Sequence, residues 1–337
     1  MTRERQIVRI RTLLSFLLVL SLLAGYGTIT AKPAQAYGRP VHQDIARYAR
    51  ELANHTLDPN VTPEVPWWME EINNYGVDID NGAMNEDEID HVWNHEGWCV
   101  TITHFWDPDE GPNEPMGSVF CNGPNAWQKA FILWGMALGQ YHMGNKGAAY
   151  EYLGHVAHLV GDVTVPAHAH FDSHVYPDEY DDNYSNGDGF DYLPQALTDA
   201  ERESIQNLGM IEIPDPAITP GGVTLLPLYW LLYTTAQVGD HYPSDDIVGD
   251  SDDPLSLVDF SLLQDVPEGV GPAELDGCDY TDVDSPCAIA LATIRSNSYF
   301  YGIRAVAALY KLFAETARRQ AELTVVIDSL TTLELEG

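Results

Sequence analysis

The chain has 337 residues and a formal net charge of −35, with 16 Lys and Arg against 51 Asp and Glu. A surface this acidic repels phosphate backbones and anionic lipid at long range, so stable nucleic-acid binding is not expected, although a local cationic site can still hold a phosphate. The length allows one large domain or two modest ones with ample core, and no internal repeat or linker composition divides it.

In chain order, residues 1–36 read as a secretory signal peptide. Arg3, Arg5, Arg9 and Arg11 form a basic start, Leu13 to Ala24 is an apolar run too short to span a bilayer, and Ala34-Gln35-Ala36 is a small-x-small cleavage site. Cleavage after Ala36 is expected to leave a secreted, extracellular protein beginning at Tyr37, with no transmembrane anchor. Four cysteines follow: Cys99, Cys121, Cys278 and Cys287. An even count in an oxidising compartment suggests bridges, and of the three connectivities local spacing favours Cys99 with Cys121 and Cys278 with Cys287.

After Pro40, apolar Val41, Ile45, Ala49 and Leu52 recur at helical spacing, with His42 on the first turn. Asn125 is predicted to cap a helix whose stripe is Trp127, Phe131, Trp134, Leu138 and Tyr141, ending near Gly144 to Gly147. A second helix follows, to about Gly161. The apolar stretch LLPLYWLLY at 225–233 is short and contains Pro227, which suits a buried core element better than a membrane span. Ile303, Val306, Ala307, Tyr310 and Phe313 mark a further amphipathic helix. The stretches 107–124, 171–195 and 240–287, rich in Asp, Pro, Gly and Ser, read as long loops. Convincing strand alternation is scarce. The expected fold is therefore all-α, a single-domain multi-helix bundle over 37–325 with long acidic loops and a C-terminal tail at 326–337.

Chemistry concentrates in YLGHVAHLVGDVTVPAHAHFDSH, residues 152–174, which holds five of the chain's 12 histidines. His158 and Asp162 are four apart and project from one helical face; Pro166 then stops the helix, so His168 comes from another backbone direction. One such pair alone is commonly just an exposed polar face. Asp87 in GAMNEDEID and His104 in THFWDPDEG, taken singly, read as a surface aspartate and a half-buried histidine.

Taken together, these segments resemble the zinc-dependent bacterial phospholipases C and the related S1/P1-type nucleases, from Tyr37 to about Asp181. HLVGDVTVPAHAH is similar to the family's HYxGDxxxPxHA signature, HFWDPDEG to its HFYDPDxG segment, and GAMNED to the segment ending in its metal-binding aspartate. The spacing of Tyr37 and His42 is similar to the processed amino terminus of the nucleases, with Tyr37 replacing a usual tryptophan.

The resemblance implies a cluster of three Zn2+ ions. Asp87, His104, His158 and Asp162 would hold one, and Asp162 would bridge to a second held by the Tyr37 amine and carbonyl and by His42. His168, His174 and an acidic residue would hold the third, with Asp181 preferred over Asp178. Asp87 would also act as general base. The implied activity is that of a phospholipase C, cutting the glycerol-side phosphodiester bond of phospholipid at a membrane or micelle surface to give diacylglycerol and a phosphorylated head group. The alternatives are an S1/P1-type single-strand nuclease and a non-catalytic zinc-binding surface protein. A monomer is expected.

Other histidines align less well. His155 and His170 read as packing or supporting residues, and His91 and His95 lack further ligands. DNYSNGDGFD at 182–191 and HYPSDDIVGDSDD at 241–253 resemble loose calcium-type oxygen clusters without EF-hand spacing, and solvated loop is the expectation for both.

Overall fold

Val41, Ile45, Ala49 and Leu52 form one buried stripe on helix α1 (Arg39–His55), the first element of the computed structural model. The structure describes residues 39–55, 66–88, 90–93, 98–113, 116–117, 122–170, 197–244, 247–275 and 282–335. All of them belong to one compact unit within Pro33–Gly337.

After α1 come α2 (Trp67–Asn74), α3 (Gly76–Asn85), the short α4 (Trp98–Thr101), α5 (Ala126–His142), α6 (Lys146–Asp162) and the short α7 (Pro166–Ala169). These are followed by α8 (Asp199–Leu208), α9 (Pro227–Asp240), the short α10 (Pro272–Leu275) and the long α11 (Pro286–Leu335). Strand among the described residues amounts to two antiparallel ladders of two-residue strands, Met116–Gly117 with Asn122–Gly123 and Ala217–Ile218 with Thr224–Leu225. The fold is all-α. No helix among the described residues is long and apolar enough to cross a membrane.

Local chemistry fixes the helix ends. The Asn125 side chain accepts from the Gln128 N–H at the start of α5, the cap its position predicts. Pro166 and Pro227 occupy first turns, where no N–H is needed. Thr198 and Glu201 form a capping box on α8.

The predicted stripe of α5 is right in Trp127, Trp134 and Leu138, but Phe131 is 48% exposed. The buried face turns instead through Ala130, Leu133 and Ala137, and includes Lys129. The LLPLYWLLY stretch opens α9, whose Leu231, Leu232 and Tyr233 lie in the core.

α3 packs against α6, α6 against α5, and α11 against α1, α9 and α6. The α3–α6 contact is made at Gly82 and Gly154. A Cβ on Gly82 would sit 2.0 Å from the Glu151 carbonyl oxygen, and one on Gly154 would sit 2.2 Å from that of Ile79. No side-chain rotation relieves such overlaps, so backbone meets backbone only because both residues are glycine. This crossing carries the end of α3 to the middle of α6, where the candidate site begins. Cys99 and Cys287 are each disulfide-bonded. Cys121 and Cys278, which the expected pairing needs, lie outside the described residues.

Candidate metal centre

Five of the residues singled out in the sequence converge in the core: His42 from the first turn of α1, Asp87 from the turn after α3, His104 from the short helical turn Ile102–His104, and His158 and Asp162 from the last two turns of α6. All five are buried. They fall into two overlapping groups of potential ligands, His42 with His158 and Asp162, and Asp87 with His104 and His158, the ligand atoms in each lying within 4.8 Å of one another.

The distances are specific. Asp162 Oδ2 lies 3.0 Å from His158 Nε2 and 3.1 Å from His104 Nδ1, and Asp87 Oδ1 lies 3.5 Å from each of the same two nitrogens. Ligands about 2.0–2.1 Å from a tetrahedral zinc ion stand about 3.3 Å apart. The four measured separations bracket that edge. The other oxygen of Asp162, Oδ1, lies 3.2 Å from His42 Nε2 and 3.9 Å from His168 Nδ1, so one carboxylate faces imidazoles on both sides.

Hydrogen-bond geometry across this convergence is poor. His158 Nε2, Asp87 Oδ2 and both oxygens of Asp162 are buried without a partner in hydrogen-bond geometry. Buried polar atoms left so are rare, and imidazole and carboxylate donors placed together in this way suit a cation. His158 Nδ1 donates to the Ala83 carbonyl at 2.6 Å, which leaves Nε2 of the neutral ring as a lone pair aimed at the two aspartates. The rings of His42 and His158 stack with centroids 3.5 Å apart, and Gly161 gives His42 its room: a Cβ there would stand 3.2 Å from His42 Nδ1.

The charges balance only through the imidazoles. Burial would raise the Asp162 carboxyl, but His158, His42 and His104 hold it well below the ordinary range. Asp87 is lowered in the same way, against burial, by His158 and His104. His158 is lowered by burial but driven well above its usual value by Asp162 and Asp87. For His42, burial and the neighbouring His158 prevail, and it is lowered. A divalent ion would take over the neutralising role of the His158 proton. The donor set of imidazole nitrogens and carboxylate oxygens is one that zinc accepts.

Behind His104 stands a charged group the sequence reading did not single out. Lys129 and Glu86, both with fully buried side chains, form an ion pair at 2.5 Å, and Lys129 Nζ also reaches His104 Nε2 at 3.2 Å. His155 pairs with the far oxygen of Glu86, and His91 packs edge-on against His155. Glu86 is held far below the ordinary range, against its burial, chiefly by Lys129 and then His155. The ring of His104 is thus gripped at Nε2 while Nδ1 faces the aspartates. The signal in the sequence was limited to Lys129 being the one Lys, Arg, Asp or Glu in Ala126–His142, since the predicted stripe did not include it; once buried, such a lysine needs a buried acid.

The remaining expected ligands divide. His168 is buried on α7 and stacks on Phe105 with centroids 4.0 Å apart. Tyr37, His174, Asp181 and Asp178 lie outside the described residues. His170, read as packing or supporting, faces away from the centre toward Asp240, with Nε2 donating to the Asp240 carbonyl at 2.8 Å.

Fold and site together define an all-α protein with a buried centre of histidines and aspartates able to receive metal. Two solved structures are similar to it. One is the Clostridium perfringens alpha-toxin isolated from avian strain SWCP, at TM-score 0.41 and 17% identity, over 83% of this chain and 66% of that one. The other is the alpha toxin from Clostridium absonum, at TM-score 0.41 and 13% identity, over 83% of this chain and 64% of that one. This chain therefore spans slightly less than two thirds of each. No family model matches the chain, and neither does any curated protein.

Proposed function

We propose that the protein is a secreted, zinc-dependent phosphodiesterase of the phospholipase C type, releasing diacylglycerol and a phosphorylated head group from phospholipid. The observation that carries this reading is the convergence of Asp87 Oδ1 and Asp162 Oδ2 on His104 Nδ1 and His158 Nε2, each oxygen within 3.5 Å of both nitrogens, joined through Asp162 to His42. A structural zinc needs only four closed ligands, whereas here one carboxylate serves two groups of imidazoles. That supports a multinuclear centre, and the motif resemblance supports three ions, with Tyr37, His168, His174 and Asp181 completing it.

Bound zinc would polarise the phosphoryl oxygen and bring a water toward pKa ~7. The chain's own contribution is orientation and proton transfer. Asp87 offers Oδ1 to the His104 and His158 side and keeps Oδ2 without a hydrogen bond, so Oδ2 is the atom available to accept the proton of the attacking water. His158 is fixed by Ala83 with its Nε2 lone pair directed at the centre, so this ring need not reorient during turnover. The strongly acidic chain is consistent with zwitterionic phospholipid in preference to nucleic acid or anionic lipid as the substrate.

The test is a comparison of the processed, zinc-supplied protein on phosphatidylcholine, phosphatidylethanolamine and single-stranded DNA, with Asp87→Asn as control. Diacylglycerol release lost in Asp87→Asn supports the proposal. Nucleotide release alone would establish the nuclease reading, and zinc binding without turnover on any substrate would establish a non-catalytic one.

A further inference from the structure

A second convergence of acidic groups lies outside the His/Asp centre. Asp109 from the turn after His104, Asp240 at the end of α9, and Asp250 from the following loop bring carboxylate oxygens within 4.8 Å of one another. They come from three separate stretches of chain. Like charges this close repel, and the repulsion is visible in the groups themselves: burial together with Asp240, Asp250 and Asp107 pushes the Asp109 carboxyl up to about 7. Asp240 is also raised, by burial first, against the pull of His170.

The independent observation is Gln237. It is fully buried, and its Nε2 donates to Asp109 Oδ1 at 2.6 Å and to the Tyr233 hydroxyl at 3.2 Å, so its amide nitrogen lies against one acid of the cluster. Its Oε1, on the same amide carbon, has no hydrogen-bond partner and is shut off from solvent. A buried amide oxygen left so costs about 1–3 kcal/mol. Gln237 and Asp240 are three residues apart on the last turn of α9, hence on one face, at the helix end where the backbone dipole favours a cation.

We propose that Asp109, Asp240, Asp250 and the Gln237 amide oxygen form a calcium site. The donor set is oxygen only, three carboxylates and an amide carbonyl, which suits a hard cation of flexible coordination and not zinc. The ion would tie the loop after α9 to the turn that follows His104. Neighbouring acids are already committed: Asp253 accepts from Tyr233, Leu255, Leu257 and Val258. His170, whose Nε2 lies 3.2 Å from Asp240 Oδ1, is the competing counter-charge. It contacts one of the three acids.

The experiment uses the zinc-supplied full chain, freed of calcium, and measures equilibrium calcium binding and Tm with calcium chloride against sodium chloride of equal ionic strength. Expected are one calcium per chain, a Kd of about 0.1–1 mM as in extracellular modules, and a Tm rise of about 2–4 °C at saturation. Asp250→Asn should bind at least tenfold more weakly and lose the rise. Its calcium-free Tm should equal or exceed that of the parent, because a repelling charge is gone. Asp252→Asn, an exposed neighbour outside the cluster, should keep the full response. The site is overturned if the parent protein shows no calcium-specific binding, if Asp250→Asn responds as the parent does, or if Asp252→Asn loses the response equally, which would mark diffuse screening of the acidic surface.

Discussion

Gly82 and Gly154 hold α3 and α6 in direct backbone contact, each leaving no room for a side chain against the other helix. Asp87 lies five residues beyond the first glycine and His158 four beyond the second, so the spacing of two groups of the candidate centre is set by an apolar crossing. Gly154→Ala should therefore do two things. Forcing the helices apart should cost on the order of 3 kcal/mol in urea unfolding, the upper end of ordinary overpacking, and bound zinc should fall even in the fraction that folds.

Lys129 and Glu86 give a different kind of test. Removing one partner of a buried ion pair costs about 3–5 kcal/mol because the other charge is stranded, whereas removing both is nearly neutral. Lys129→Met should show that loss in urea melts of the metal-free protein. Adding Glu86→Leu to Lys129→Met should recover most of it. Equal stability of the single and double variants would show that the pair is not coupled.

The centre also makes an acid–base prediction for the metal-free protein. His158 has a raised pKa in the fold, so its contribution is fully present below the unfolded value of about 6.5 and is lost as pH rises through the folded value. Asp87 and Asp162 are depressed, so theirs is present above about 3.9 and is lost as pH falls through their folded values. Thermal unfolding after chelation should show greatest stability from these groups between about pH 4 and 6.5. Zinc must displace the His158 proton, so its affinity, read by competition with a chromophoric chelator, should rise with pH by up to about tenfold per unit.

Much of this arrangement was legible in the sequence because it is local. Helical spacing put His158 and Asp162 on one face, the Pro40 start put His42 on a first turn, and Asn125 marked a cap that the structure contains. What remained hidden depends on contacts between distant segments. Nothing in the local pattern pairs Glu86 with Lys129, and Phe131 was read as core because its spacing fits the stripe, whereas the helices around α5 leave that side open. Nor does any local pattern bring Asp250, in the tract at 241–253, beside Asp109, which lies far back in the chain.

The amino terminus supplies a prediction from the motif resemblance. If the amine of Tyr37 serves as a ligand, a protein retaining even one residue before Tyr37 should lose part of its metal and its activity while keeping its far-ultraviolet helical signal. Full activity in such a protein would remove Tyr37 from the site.

The most direct measurement is the zinc content of the purified, processed protein beside that of Asp162→Asn, by elemental analysis after exhaustive dialysis. Asp162 faces both groups of imidazoles, so its loss should affect more than one ion. Three zinc ions per chain are expected in the parent protein and a loss of at least two in the variant, with the helical signal retained. A parent protein that holds no zinc, or a variant that holds as much as the parent, would contradict that expectation.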